Sequence, residues 1–270
     1  MASNTPNYIS IYDNTATANF IYVSESVCEV LGWTPDEMVG KGAYDFFHPN
    51  DINAITRVHS ANVMNEKMSS MVAYRTRHKD GHYVTIETLV HYCYDLLMCT
   101  NYLYDPNDAG HKIRSNSVDE VFIVNEDGSL ELVGAWNDSQ ERMQVSLQTQ
   151  HHWINNRVTH IQEPRFCLIL NRYTEDSTIV FVSQMAERLL GLQCDQVLGR
   201  PLLDYVSEKD GQVVQQQLDM TKGSDMIMRM RFDWIMDKEK NTTQAVEAIV
   251  GSSNDGLVVV IRLAPRMTMA

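Results

Sequence analysis

Few side chains in this chain are spaced to do chemistry. Glu87 and His91 fall on one face of an apparent strand over 83–93, a carboxylate and an imidazole of the kind used in proton transfer. Two intervening steps of the strand hold them well apart, and the plainer reading is a solvated or partner-facing surface. His91, Cys93 and Cys99 offer metal-ligand chemistry, but the paired Cys-x-x-Cys that usually builds such a site is missing. His151 and His152 are neighbours on an expected helix, where adjacent side chains diverge by ~100° and cannot clamp one ion. His59 lies on the apolar side of a helix expected over about 52–67, a position where a lone histidine is ordinarily packed and hydrogen-bonded. There is no phosphate-binding glycine loop, Gly-x-Ser-x-Gly elbow or His-Glu-x-x-His pair. The expectation is a protein that is not an enzyme.

The elements that position these residues come from a stretch that occurs twice. Phe20–Ser24, Val27–Trp33 and Thr34–Lys41 match Ile179–Ser183, Ala186–Leu192 and Gln193–Arg200. Ser24 and Ser183, Gly32 and Gly191, and Gly40 and Gly199 all stand at one constant separation, which extends to Asp45 and Asp204 and to Asp51 and Asp210. A period this long marks a duplicated domain, not a solenoid. Each copy reads strand, short helix, turn, second short helix, turn. Ser24 and Ser183 sit where a helix N-cap belongs. Gly32 and Gly191 are placed to end the first helix in a left-handed conformation. Thr34 can cap the next, with Pro35 tolerated at its first position.

The run Tyr22-Val-Ser24, Leu31-Gly-Trp33, Glu37-Met-Val-Gly-Lys41 and Phe46-Phe-His-Pro-Asn-Asp51 resembles the front half of a PAS domain, and Arg77-His-Lys-Asp-Gly-His-Tyr-Val84 resembles the hairpin that follows in that family. The second copy, with Glu163-Pro-Arg165, Asn171-Arg-Tyr173 and the closing Asn254–Arg262, is similar to the PAS pairs of fungal white-collar-type regulatory proteins. The resemblance implies an α+β fold of two PAS-like domains, each a mostly antiparallel five-stranded sheet with short helices on one face. It implies sensing or protein–protein interaction in signalling or transcriptional control. It also raises two cofactors. Light-sensing PAS domains carry an Asn-Cys-Arg-Phe-Leu-Gln-like run after the second glycine, but neither Gly40–Phe46 nor Gly199–Asp204 holds a cysteine, which argues against a covalent flavin adduct. Haem-carrying PAS domains use an axial histidine, and His59 is the candidate for that role.

Further along, Lys79-Asp80-Gly81 turns one strand into the next, on which Val84, Ile86, Val90 and Tyr92 share a face. Pro106 to Ser117 reads as a polar connection. Val118 to Trp136 reads as an extra hairpin around Asn125–Gly128, which either extends the sheet or replaces an edge. A helix is expected over 139–161, since no glycine or proline interrupts that run. Met143, Leu147, Ile154, Val158 and Ile161 recur along it as a heptad-type seam, which either pairs with a second copy or packs on a sheet of the same chain. In the second copy, Met226 to Met236 alternates with more polar residues as a core strand whose methionines could otherwise line a flexible cavity for an apolar ligand. The boundaries expected are a first domain over 1–136, a connector over 137–162 and a second domain over 163–270.

A net charge of −13 argues against a nucleic-acid or anionic-membrane surface, and no basic DNA-reading motif is present, so contact with DNA would fall to a partner. The five cysteines are odd in number and scattered, as in a reduced intracellular protein, and no apolar run has membrane-spanning length. The chain is therefore expected in the nucleus or cytoplasm, with protein partners in a homo- or heterodimer, formed through the sheets or the connector helix. No resident cofactor is expected, with haem or an apolar ligand as the alternative.

Overall fold

The computed structural model describes residues 5–135, 153–154, 157–158, 162–237, 240 and 242–264. The chain divides into two compact units, essentially residues up to Gln162 and residues from Glu163 onward.

The first unit opens with β1 (Asn7–Asp13) and β2 (Phe20–Val23), followed by α1 (Val27–Leu31), α2 (Pro35–Met38), a 3-10 turn (Ala43–Phe46) and α3 (Ile52–Met64). Three antiparallel strands then complete the back of the sheet: β3 (Ser70–Arg77), β4 (Tyr83–Cys93) and β5 (Leu96–Leu103). The chain crosses back through α4 (Ala109–Ser115) and adds β6 (Glu120–Val124) and β7 (Leu130–Ala135) to the sheet. The sheet order is β2-β1-β5-β4-β3-β6-β7. The extra hairpin thus extends the sheet past β3. Because β6 runs parallel to β3, a crossover must precede it, and α4 supplies that crossover.

The second unit repeats the plan with β10 (Arg165–Leu170), β11 (Ile179–Val182), α5 (Met185–Leu190), α6 (Cys194–Val197), α7 (Glu208–Lys222), β12 (Met228–Asp237), β13 (Thr242–Ser253) and β14 (Gly256–Leu263), in the order β11-β10-β14-β13-β12. This is the order of the first five strands of the other sheet.

The duplicated residues do the same work twice. Gly32 (φ 74°) and Gly191 (φ 67°) end α1 and α5 in the left-handed region, where a Cβ would be strained. Ser24 and Ser183 do not cap those helices: Ser26 and Gln184 hold the cap positions. Instead Ser24 Oγ accepts the Ile9 amide at 2.8 Å, and Ser183 Oγ accepts the Cys167 amide at 3.0 Å. Each serine pins the end of the second strand to the first, an arrangement invisible in a local pattern because its partner lies some fifteen residues upstream. Asp51 and Asp210 behave likewise, accepting the backbone amides of Arg75 on β3 (2.8 Å) and Asp233 on β12 (2.9 Å). Asp51 is fully buried and also takes the Arg75 guanidinium.

The expected helix over 139–161 is overturned where it can be seen. Trp153–Ile154 and Arg157–Val158 form two short antiparallel strands, β8 and β9, with Trp153 opposite Val158 and Ile154 opposite Arg157. The residues between them in sequence, Asn155-Asn156, are of the type that favours a two-residue hairpin turn over continued helix. Of the seam, Ile154 and Val158 therefore lie on extended backbone, while Met143, Leu147 and Ile161 fall outside the described residues. Pro106 to Ser117 is also more than a connection, since its middle is α4. Among the described residues no helix is long and apolar enough to cross a membrane.

Candidate functional site

Between α3, the 3-10 turn and the inner face of the first sheet lies a cavity of about 60 Å³. Its wall is mostly aliphatic and aromatic, with Tyr44, Phe47, Val58, Tyr74, Tyr92 and Leu97 prominent among the lining residues. Strand alternation delivers this wall: Val72 and Tyr74 of β3, Thr88, Val90 and Tyr92 of β4, and Leu97 and Cys99 of β5 all face inward. The apolar face read for β4 is thus the core face, and its one polar member, Thr88, is the sequence signal that something besides packing happens there.

Thr88, on the cavity wall with Tyr74, belongs to a polar ladder that crosses four strands and continues beyond the cavity. Its Oγ1 lies 3.1 Å from the Tyr74 hydroxyl and 2.9 Å from Asn101 Oδ1. Thr88 has one proton to give and the amide oxygen can only accept, so Thr88 donates to Asn101 and Tyr74 donates to Thr88. Asn101 Nδ2 then donates to Ser10 Oγ at 2.9 Å on β1. A ligand reaching Tyr74 would therefore meet a hydroxyl whose proton is directed at Thr88 and whose oxygen is an acceptor.

The titratable groups here are held uncharged by burial. Desolvation lowers the His59 imidazole to about 4 and raises the Tyr44 phenol to about 12. The phenols of Tyr12, Tyr74 and Tyr92 and the Cys99 thiol are likewise pushed up, with desolvation the leading cause for each. Cys99 is consequently a thiol and not the thiolate that covalent chemistry needs.

His59 is where the sequence put it, on the apolar side of α3 and against the cavity. Its Nε2 lies 3.1 Å from the carbonyl oxygen of Thr15, which requires the ring to donate there, and it stacks on Tyr92 with ring centres 6.1 Å apart. Haem does not fit. The nitrogen an iron would take is already engaged, and the cavity is far below even the ~300–1,000 Å³ of a drug-sized pocket.

The other expected groupings come apart. Cys99 faces the cavity, whereas His91 and Cys93 lie on the opposite face of the sheet, so the three cannot share an ion. His91 is buried with Nδ1 3.1 Å from the Met68 carbonyl. Glu87, expected on a solvated or partner-facing surface, is fully buried beneath α4, where Arg114 Nε donates to it at 2.6 Å and His111 Nδ1 contacts its other oxygen. Glu87 and His91 are therefore built into the structure and do not form an acid–base pair.

In the second domain an indole stands at the centre of the core. Trp234 is fully buried among Phe166, Tyr205 and Phe232, at ring separations of 5.7, 5.4 and 6.2 Å. The backbone bridges Phe47↔Thr76 and Val206↔Trp234 make Thr76 the counterpart of Trp234. The first domain thus carries a small side chain at this position and the second an indole. The Met226–Met236 run behaves as a core strand in its middle, with Met230 buried, and comes to the surface at Met226 and Met236.

Residues 20–95 match the family described as PAS fold, and residues 161–262 match a second family of the same description. The chain is built from two PAS domains. It is 33% identical over 69 residues to human "Basic helix-loop-helix ARNT-like protein 2", and 28% identical over 91 residues to "Hypoxia-inducible factor 1-alpha" of Gallus gallus. These alignments take in 26% and 31% of this chain and 11% of each relative, so the chain spans about a tenth of the length of the curated relatives it matches. A solved structure of Drosophila melanogaster Cycle PAS-B with bound ethylene glycol is 24% identical, covering 36% of this chain and 99% of that one at a TM-score of 0.33.

Proposed function

We propose that this chain is a non-catalytic regulatory module that works by associating with other proteins, and that a small, mostly apolar molecule in the first domain's cavity tunes the association. The observation that carries the reading is the cavity itself, a mostly apolar space with the Tyr74 and Thr88 hydroxyls in its wall. An apolar space of this size forgoes dispersion contacts, and a guest of a few non-hydrogen atoms would restore them. Tyr74 supplies the polar handle that would orient such a guest.

The association half of the reading draws on relatives named as a basic helix-loop-helix ARNT-like protein and a hypoxia-inducible factor, and on motifs resembling those of white-collar-type pairs. The strong negative charge is consistent with a role in which a partner, not this chain, contacts DNA. A nuclear or cytoplasmic site of action follows from the same reading.

The test is thermal denaturation of the purified chain with a panel of small aromatic and short-chain alcohol probes, paired with native mass measurement. The expected outcome is a raised midpoint with at least one probe class and a changed monomer–dimer distribution in its presence. A midpoint indifferent to every probe would remove the ligand half, and a strictly monomeric chain that binds no PAS partner would remove the other.

A further inference from the structure

The turn between β3 and β4 carries a grouping that neither the cavity nor the fold requires. His78 and His82 flank it, joined across the hairpin by a hydrogen bond from the His78 amide to the His82 carbonyl at 2.8 Å, and Asp80 stands between them. The two imidazole rings stack with centres 4.5 Å apart and planes 24° from parallel, so both project from the same side of the hairpin. One ligand atom from each of His78, Asp80 and His82 can be chosen so that all lie within 4.8 Å of one another. We infer that this hairpin turn is a binding site for a late first-row divalent cation such as Zn²⁺, with His78, Asp80 and His82 as ligands.

The charges and protons at the turn support that assignment. His78 Nδ1 lies 3.2 Å from the Asp80 amide nitrogen, which can only donate, so Nδ1 there presents a lone pair. The same Nδ1 sits 3.4 Å from Asp80 Oδ2. An imidazole nitrogen and a carboxylate oxygen thus already converge, an arrangement that a cation would bridge. Two ligands of a tetrahedral ion with bonds of ~2.0–2.1 Å stand roughly 3.4 Å apart, the spacing already present. His82 and Asp80 are exposed and can close the remaining distance without unpacking anything. The Asp80 amide, at an exposed turn, passes to water when the ion takes Nδ1.

Two neighbours keep the site in order. The His78 ring rests against Gly32, where an added Cβ would come within 3.0 Å of its Cε1, so the ring has a fixed seat. The one cation inside the turn, Lys79, is drawn away: its Nζ bonds both carboxylate oxygens of Glu37, at 2.7 and 2.9 Å. Two imidazoles and one carboxylate suit zinc or copper better than calcium or magnesium, which prefer oxygen alone. Water would complete the coordination. The second domain supplies an internal control, because its equivalent turn, Asp237-Lys-Glu-Lys-Asn-Thr242, contains no histidine.

The experiment is calorimetric titration of the full chain with Zn²⁺, alongside the variants H78Q, D80N, H82Q and the double variant H78Q/H82Q, each first shown to keep its far-ultraviolet circular dichroism. One saturable equivalent of Zn²⁺ is expected. Losing an outer-shell partner of a metal site costs ~10–100-fold in affinity, so losing either imidazole should weaken binding by at least about tenfold. The double variant should abolish it. In proton NMR, the imidazole resonances of His78 and His82 should shift on adding Zn²⁺ while that of His59 stays put. Absence of saturable binding, or full affinity in the double variant, would overturn the assignment. Neither result bears on the cavity.

Discussion

Arg114 Nε donates to Glu87 Oε1 at 2.6 Å with both side chains almost wholly removed from water, and the Arg114 guanidinium also lies 3.9 Å above the centre of the Tyr102 ring. This contact fastens the seven-residue α4 to the outer face of the sheet, on the crossover that leads to β6, the strand parallel to β3. Asp108 closes the arrangement, capping α4 through the His111 amide and standing 3.5 Å from Arg114 Nη2.

Breaking that pair from one side should be costly. Arg114→Met leaves the Glu87 carboxylate buried without its main counter-charge, and the unfolding free energy should fall by about 3–5 kcal/mol. The double variant R114M/E87Q should recover a large part of that loss, since no buried charge is then stranded. Chemical denaturation of wild type, R114M, E87Q and the double variant measures the coupling. Additive losses in the double variant would mean that the pair is not the fastening.

Much of this architecture can be read in the amino-acid order, and the parts that cannot share a cause. The period between Ser24 and Ser183, the two glycine-ended helices and the inward face of β4 are local signals with one answer each. Glu87 looked solvated because its cover, α4, is short and polar, and nothing near residue 87 announces a helix more than twenty residues on. The run through Ile154 and Val158 reads as helical because apolar residues at steps of four and three satisfy a helix, whereas the pairing of Trp153–Ile154 with Arg157–Val158 is a strand contact that this periodicity does not encode. Of the cavity, His59 was legible from helical spacing. Cys99 and the Tyr74–Thr88–Asn101–Ser10 ladder depend on strand register, which links positions no sequence window joins.

The β6–β7 hairpin should be sensitive at Gly128 in a way that the β3–β4 turn is not at Gly81. Both have positive φ, at 83° and 96°. A Cβ at Gly128 would fall 2.4 Å from the Asn50 carbonyl oxygen, a backbone atom that cannot step aside, whereas nothing lies within 4 Å at Gly81. Gly81→Ala should cost about 1–2 kcal/mol from backbone strain alone. Gly128→Ala should cost clearly more than that, because it also displaces the turn that accepts Arg75 Nη2 at the Glu126 carbonyl, 3.0 Å away. Thermal or urea denaturation of the two variants gives the comparison, and equal losses would contradict the packing of this turn on Asn50.

Filling the cavity should separate ligand response from fold. Cys99 faces the space and its thiol is inert, so Cys99→Leu adds apolar bulk where there is room for it. Unfolding free energy should stay within about 1.5 kcal/mol of wild type, as expected for hydrophobic exchange into available volume. The shift in midpoint produced by a small apolar probe should disappear. A retained shift in a well-folded Cys99→Leu variant would place the probe somewhere other than this cavity.

The last prediction concerns pH and rests on His59. Burial favours its neutral form and lowers its folded value from the ordinary 6.5 to about 4, with the Thr15 carbonyl and Asp13 opposing that shift only in part. The unfolded chain therefore takes up this proton first as the solution is acidified. A histidine depressed in the folded state contributes stability that is complete above the unfolded value near 6.5 and is lost progressively as pH falls towards the folded value. At about 1.4 kcal/mol per pH interval, the loss from this residue amounts to about 3 kcal/mol by pH 4. His59→Gln keeps a side-chain donor for the Thr15 carbonyl and has no proton to gain. Its unfolding free energy should fall less steeply between pH 6.5 and 4, so that the wild-type advantage shrinks or reverses at the acid end. Parallel slopes for the two proteins across that interval would show that His59 does not titrate with unfolding.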